Sequence, residues 1–387
     1  MQRKGNVIAR ESQGTKMVTV GVDMGGALWA TWIHDWSTGN DSYHAFRDQD
    51  GKKARGKEEL FYAKVAELVA SGHDVRVFYE AGRYGYHPAR AVKALGADVT
   101  ILPINKLKVI VCGKVIKTDK LDAKFLGGLH PDDKLPSVYI PTPAEEDRRD
   151  AEREIARLRE GVNRVNGQML AVVERTALGR VGGHRSSNVW LAWVEERRKS
   201  GELQKLEPFM ALRLGNMIEE LALLEKHLKQ WRELIDKRMA KDRGEAEGAR
   251  LASTFDALLK FKGIGETIAR HLCWEIGDFG RFKNGKQFSS YFGLTPCPFA
   301  SGTMNRDQGI SKSGRKSLRK MAVEMAWLWR RWQPGSSLTK KWEPMLAQKG
   351  RARKTAIVAL ARQLLVALWR HVTLGEGVEG AVTTMGK

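Results

Sequence analysis

Residues Lys117–Leu126 read Lys-Thr-Asp-Lys-Leu-Asp-Ala-Lys-Phe-Leu. Thr118 caps a helix by type, because its hydroxyl can accept one of the N–H groups left free in the first turn. Leu121, Phe125 and Leu126 give the helix an apolar stripe. Asp119 and Asp122, three residues apart, then share a helix face about one turn apart. Carboxylates in a first turn suit the positive end of the helix dipole, and taken alone this pair needs no other explanation. Joined to further acids, it becomes half of a divalent-metal site.

Two such acids stand at predicted strand ends. Met17–Asp23 alternates valine with small residues and reads as a strand closing on Asp23; Val75–Tyr79 reads as a short buried strand that delivers Glu80. Around them Leu28–Asp35 and Ser42–Phe46 read as strands, Lys57–Ala70 and His87–Leu95 as helices, and Asp98–Leu102 as a further strand before the Asp119 helix. That order predicts a mixed α/β sheet, and in open α/β sheets functional groups collect at strand ends. Four carboxylates brought together repel one another unless a cation neutralises them. An all-oxygen ligand set selects Mg²⁺, or Mn²⁺, over zinc. Paired ions of this kind serve phosphodiester displacement, one activating the attacking oxygen and the other the leaving one.

The charge balance points to the same substrate class. The 387 residues, enough for two or three domains, carry 66 Lys and Arg against 45 Asp and Glu, a net charge of +21. Such an excess marks a partner that is a polyanion. The chain shows no apolar run near the length of a membrane span, and Met1–Lys16 is too polar for a secretory signal, so nucleic acid is favoured over membrane. Cys112, Cys273 and Cys297 are scattered and odd in number, which argues for a reducing compartment and against a zinc knuckle.

Beyond the proline-containing stretch His130–Pro143 the pattern becomes helical. Ile155, Leu158, Val162, Val165 and Met169 recur every three or four residues within a helix predicted over Pro143–Thr176. A second long helix is predicted from Met210 to Met239, and the pair reads as an antiparallel hairpin that either packs on itself or dimerises. Lys241–Arg250 reads as a hinge. Leu258–Ile276 reads helix, Gly-Ile-Gly turn, helix. In such a helix–hairpin–helix Gly263 and Gly265 offer backbone N–H groups to a phosphate, with Lys262, Thr267 and Arg270 at its border. Between Ser301 and Trp332, Arg306, Lys312, Arg315, Lys316 and Arg319 lie in or beside a glycine-rich stretch read as a loop, which suits close phosphate contact. Ser301 precedes Gly302 and is by itself an ordinary turn residue, with no adjacent histidine to activate it. Leu338–Leu374 reads as basic helices and Gly375–Lys387 as a flexible tail.

Val22-Asp23, Tyr79-Glu80-Ala81 and Lys117-Thr118-Asp119-x-x-Asp122-Ala123 resemble the RuvC-like (RNase H-like) DEDD domain of bacterial insertion-sequence transposases, the insertion sequence 110 family with its 1111 subgroup. Gly263–Gly265, Glu275–Asp278, Tyr291–Pro296, Ser301-Gly302 and Gly309–Gly314 resemble the C-terminal domain of the same family, in the same order. The resemblance implies a RuvC-like domain at 17–140, a helical hairpin or coiled coil at 143–242, and a mostly helical transposase domain at 250–374, with flexible tails at 1–16 and 375–387. It implies that Asp23, Glu80, Asp119 and Asp122 hold Mg²⁺ and that Ser301 is the nucleophile joined covalently to DNA. It further implies donor and target DNA, a noncoding bridge RNA, a homo-oligomer (a dimer, a tetramer when active, with a composite site), and a cytoplasmic, nucleoid-associated location. Asn305 and Asp307 interrupt the basic run usual after the serine-glycine pair. Read from the residues alone, a metal-dependent nuclease or junction resolvase using water, and a non-catalytic nucleic-acid-binding protein, remain open alternatives.

Overall fold

The computed structural model describes residues 16–49, 56–103, 118–176, 178, 187–301 and 304–384. Residues 1–15, Cys112, Lys117 and Gly302 lie outside the described residues, as do the side chains of Ser301 and Arg306. The chain divides into two compact units, Met1–Thr142 and Pro143–Lys387.

The first unit is built on a five-stranded sheet. Its strands are β1 (Met17–Met24), β2 (Leu28–Asp35), β3 (Asp41–Arg47), β4 (Asp74–Glu80) and β5 (Asp98–Leu102), in the order β3-β2-β1-β4-β5. β1 is antiparallel to β2 and parallel to β4. The alternation in β1 has a physical reason on each face. Val18, Val20 and Val22 enter the core with Phe61 and Val65 of α1 (Lys57–Ala70) and with Ala89 and Val92 of α2 (His87–Ala94). Thr19 and Gly21, also buried, lie under α3 (Asp119–Gly127). The expected apolar stripe of α3 holds at Leu126 and at half-buried Phe125 but not at Leu121. Leu121 is 43% exposed, and the buried residues are Ala123, Leu126 and Gly127. Small residues are needed because a Cβ added at Gly21 would lie 2.1 Å from the Gly127 backbone nitrogen, and one at Gly127 would lie 2.8 Å from the Trp32 carbonyl. The Thr19 hydroxyl donates to the Gly127 carbonyl and fixes the same approach.

The second unit is helical apart from one two-stranded hairpin. Helix α4 (Pro143–Thr176) runs antiparallel to α6 (Pro208–Gly244), with α5 (Ser187–Lys199) between them in the chain. The α5 helix, which holds the buried Trp190 and Trp193, falls where the sequence suggests only a connection. Buried Leu214, Leu221, Leu228 and Ile235 recur every seven residues against Ile155, Leu158, Val162, Val165 and Met169, a coiled-coil seam. The expected hinge reduces to one extended residue, Glu245, before α7 (Ala246–Leu259). Helices α8 (Glu266–Ile276), α9 (Gly285–Tyr291), α10 (Lys316–Trp332), α11 (Ser337–Leu346) and α12 (Arg351–Leu374) complete the unit. By length and composition α12 is apolar enough to cross a membrane, which the sequence reading does not anticipate, but its Ile357, Leu360, Leu364, Leu365 and Leu368 are buried in this core. The expected flexible tail is also corrected: Gln333 donates to the Val382 carbonyl at 2.8 Å, and Lys262 N–H donates to it at 3.2 Å.

The helical pair and the C-terminal helices share one apolar core, and buried charges add ties within the pair and from it to α8. Asp242 accepts from Arg148 Nε at 2.9 Å and from Arg238 Nε at 3.0 Å. Glu152, 3% exposed, accepts from Arg270 Nε at 2.6 Å and lies 3.1 Å from His271 Nδ1. Burial works to raise the Glu152 pKa, but hydrogen bonding to His271 and the charges of Arg270 and His271 outweigh it, so the group titrates below the ordinary glutamate value of 4.5. A lowered folded pKa gives stability that is complete above about 4.5 and is lost as pH falls through the folded value. Glu152→Gln should therefore cost about 3 kcal/mol at neutral pH, because it leaves Arg270 buried without its counter-charge. Thermal unfolding followed from pH 3 to pH 7 should also show a shallower acid limb in the variant than in the parent.

Candidate active site and nucleic-acid interface

Parallel pairing of β1 with β4 sets Val22 opposite Tyr79, so the two strands deliver Asp23 and Glu80 side by side at their C-terminal ends. Both acids line one small cavity of about 120 Å³, together with Tyr79, Gly82, Arg83 and Tyr84. The Thr118 hydroxyl accepts from Leu121 N–H at 3.3 Å and caps α3 as its type predicts. Asp119 and Asp122 each precede a packed residue, Ala123 and Leu126, by four, which aligns them with the face of α3 that meets the sheet. Asp119 Oδ2 lies 3.9 Å from where a Cβ on Gly25 would stand, in the turn that follows Asp23. Strand ends and helix start thus converge on one corner of the sheet. Among the described residues, however, no three His, Cys, Asp or Glu side chains are close enough together to hold a metal ion.

Arg83 and Tyr84 belong to this corner and escape a reading of the sequence. The Tyr84 hydroxyl donates to the Gly25 carbonyl at 2.8 Å and accepts from Arg83 Nη2 at 3.2 Å. A Cβ on Gly26 would strike Arg83 Nη2 at 2.6 Å, so the guanidinium rests on the bare turn beyond Asp23. Burial raises the Tyr84 pKa, but hydrogen bonding and the positive charge of Arg83 outweigh it and leave the phenol below its usual value. The available signal is spacing, since Arg83 follows Glu80 by three residues within a Gly82–Gly85 turn.

Ser301 is not in an open loop. It closes strand β6 (Pro296–Ser301) opposite Met304 of β7 (Met304–Ile310). The polar run Asn305–Gln308 carries no apolar alternation, so no strand is legible there. The base of this hairpin is clamped by two glycines with positive φ. A Cβ on Gly293 (φ 67°) would lie 2.1 Å from the Ser313 carbonyl, and one on Gly314 (φ 98°) 2.5 Å from the Tyr291 carbonyl. Arg319 Nη1 donates to the carbonyls of Lys312 and Gly314 at 2.9 and 2.8 Å, holding Lys312 in its left-handed conformation at φ 54°.

The residues expected to meet phosphate therefore divide. Lys262, Thr267, Lys312 and Lys316 are exposed, as is Arg315, which also lies 3.6 Å from the buried Glu275. Gly265 is an exposed N-cap with space around it. Gly263, Arg270 and Arg319 have other work. At Gly263 (φ 97°) an added Cβ would lie 3.0 Å from Trp332 Cβ, Arg270 is held by Glu152, and Arg319 binds loop carbonyls. Lys262 Nζ lies 5.1 Å over the Trp332 ring, a cation–aromatic pair beside the turn. Arg306 lies on β7 opposite Phe299.

Residues 256–340 match the model of the Transposase IS116/IS110/IS902 family. The chain is 33% identical over 320 residues to a putative transposase, y4rJ, of Sinorhizobium fredii, an alignment covering 79% of each protein. It belongs to this transposase family. It is also 22% identical over 292 residues to the transposase of insertion sequence element IS1328 of Yersinia enterocolitica, covering 74% of this chain and 80% of that protein. A pilin gene-inverting protein of Moraxella bovis is 33% identical over 111 residues, 28% of this chain and 33% of that protein.

In this transposase the corner that carries the acids depends on a missing methyl group. Strand propensity alone predicts that Gly21→Ala stabilises, by about 0.5–1 kcal/mol. An added Cβ only 2.1 Å from the Gly127 nitrogen reverses the sign. The expected outcome is a net loss of about 1–3 kcal/mol in urea unfolding of the first unit, the range for overpacking. Strand-transfer activity should fall with it as α3 is pushed off the sheet.

Proposed function

We propose that this transposase exchanges DNA strands through a phosphoserine intermediate, with Asp23, Glu80, Asp119 and Asp122 as the acidic site and Ser301 as the nucleophile. The strand order β3-β2-β1-β4-β5, with acids at the ends of β1 and β4 and on a helix packed against β1, supports a RuvC-like assignment for residues 17–140. The observation that carries the reading is the shared cavity of Asp23 and Glu80, in a chain that also ends a β-strand on Ser301.

The donor set is all carboxylate, which suits Mg²⁺ or Mn²⁺. Asp23 and Glu80 are already paired, and we propose that Asp119 and Asp122 complete the set when nucleic acid binds. The ion, when bound, would act as a Lewis acid on the phosphodiester. The protein's own part is then as follows. Arg83 faces a phosphate oxygen beside the acids. The Ser301 hydroxyl loses its proton and forms an Oγ–P bond as one deoxyribose hydroxyl leaves. A free DNA hydroxyl later attacks that phosphorus and releases Ser301, so each bond broken is replaced and no nucleotide cofactor is consumed. Conservative exchange of this kind agrees with a relative described as gene-inverting. The surplus of positive charge agrees with binding donor DNA, target DNA and a noncoding bridge RNA in the cytoplasm.

The homo-oligomer has its own support. Leu212, Leu223 and Leu234 of α6, spaced eleven apart, are 62%, 51% and 57% exposed and lie on the side away from the Leu214–Ile235 seam. Eleven residues span nearly three whole turns, so the three leucines stay in line. We propose that a second copy covers them. Leu223→Glu with Leu234→Glu should shift the sedimenting species from dimer to monomer and leave the melting temperature within a few degrees of the parent.

The chemistry is tested by incubating the protein with element-end DNA, flanking RNA and Mg²⁺. A protease-sensitive protein–DNA adduct is expected, absent in Ser301→Ala and reduced on the order of 10²-fold or more in Asp119→Asn. DNA cut at full rate by Ser301→Ala, with no adduct in the parent, would assign water as the nucleophile and overturn the proposal.

A further inference from the structure

A groove of about 840 Å³ runs between α9, α11 and α12. Lys286, Arg362 and Arg370 line it, and Leu338, Val366 and Pro296 are among its apolar walls. Arg362 and Arg370 are eight residues apart, so they stand about 12 Å apart along the same side of α12. Lys286 reaches the groove because Gly285 allows it. A Cβ at Gly285 would lie 2.6 Å from Val366 Cγ1, so only a glycine lets α9 settle onto α12 at this depth. Glu376 pairs with Arg370 Nε at 2.6 Å and holds that side chain in place. The groove opens at Pro296, the first residue of the strand that ends on Ser301.

We infer that this groove binds the sugar–phosphate backbone of a nucleic-acid strand leading to the Ser301 hairpin. The inference rests on the transposase reading and adds a binding surface to it. Cations spaced along an open channel match a repeating anion better than a single phosphate. Apolar walls accept the sugar faces between phosphates, and such a surface carries no base identity, so it holds a strand without selecting its sequence. An acidic polypeptide would satisfy the cations but lacks regular spacing, and the net charge of +21 already marks the partner as a polyanion.

The test uses the full-length protein and a double variant, Lys286→Gln with Arg362→Gln. A control double, Lys229→Gln with Lys237→Gln on α6, removes the same charge elsewhere. Binding of labelled duplex DNA, single-stranded DNA and structured RNA is measured from 50 to 300 mM salt. For the strand that occupies the groove, the groove variant should bind about 10-fold or more weaker at 150 mM salt. Its slope of log affinity against log salt should be shallower by about 1.4 to 1.8, roughly 0.7–0.9 for each of the two phosphates that are no longer neutralised. The control should move less than half as far, and unchanged melting curves show that both variants fold. Comparing the three probes shows whether DNA or RNA lies there. Gln363→Lys, which adds a cation to the same groove, should tighten binding of that strand. Equal shifts in groove and control variants, or parental slopes in the groove variant, overturn the inference and leave the transposase reading intact. Stronger competition by polyglutamate than by unlabelled nucleic acid would overturn it in favour of an acidic protein. Failure of the parent to bind any DNA would overturn the transposase reading itself, and the groove with it.

Discussion

Direct backbone-to-backbone packing, possible only where a side chain is missing, is the constraint on which this protein's chemistry depends. In the first unit it is the approach of α3 to β1 at Gly21. A helix normally stands off a sheet by the depth of a layer of side chains. Here the first turn of α3 is brought to the sheet corner, with Asp119 close to the turn that follows Asp23. The Thr19–Gly127 hydrogen bond fixes the position of the helix along the strand. A bulkier residue at position 21 would leave the sheet intact and separate the two pairs of acids.

The second unit also depends on missing side chains, against backbone at Gly293 and Gly314 and mainly against side chains at Gly263 and Gly285. Gly293 and Gly314 let the loop 311–315 pack against the backbone of 291–293, which sets the base of the hairpin that ends on Ser301. Gly263 lets the Gly-Ile-Gly turn rest on Trp332. Gly285 seats α9 on α12. At Gly263, Gly293 and Gly314 the backbone also has positive φ, so a larger residue would meet both a collision and a strained conformation.

These arrangements explain which features are legible in the sequence. Elements with a clear period can be read nearly to the residue: Leu28–Asp35, Lys57–Ala70, Asp98–Leu102 and Pro143–Thr176 coincide with the structure. The Asp23–Glu80 pairing is readable because acids at the ends of buried parallel strands have little freedom of placement. The hairpin is not, because Pro296–Ser301 and Met304–Ile310 contain proline, small and polar residues in place of alternating apolar ones. Helix α5 is hidden because its buried face is short, only Trp190, Trp193 and Val194, in an otherwise polar stretch. Of the stripe expected on α3, Leu126 and Phe125 pack and only Leu121 is misplaced, for a direct reason. Hydrophobicity picks Leu121, but where backbones nearly touch, smallness decides, and Ala123 and Gly127 carry the contact. The closing tail resists reading because its anchors are backbone groups bound by Gln333, and a glycine-rich sequence shows no sign of them.

The cations show a similar division between structure and binding. A net charge of +21 says that the protein suits a polyanion, but it does not say which side chains meet it. Arg148, Arg238 and Arg270 are committed to buried or half-buried carboxylates, Arg319 to loop carbonyls, and Arg330 to Glu343 at 2.9 Å. Arginine suits these positions because its planar fork can satisfy several acceptors at once without titrating. The exposed positions at the Gly-Ile-Gly turn and at the start of α10 are held largely by lysine: Lys262, Lys312 and Lys316. Lysine is a mobile point charge, suited to a phosphate backbone that shifts during strand exchange. Sequence motifs count both kinds alike, and burial separates them. These buried arginines help set the shape of the unit, while Lys262, Lys312 and Lys316 stay at its surface.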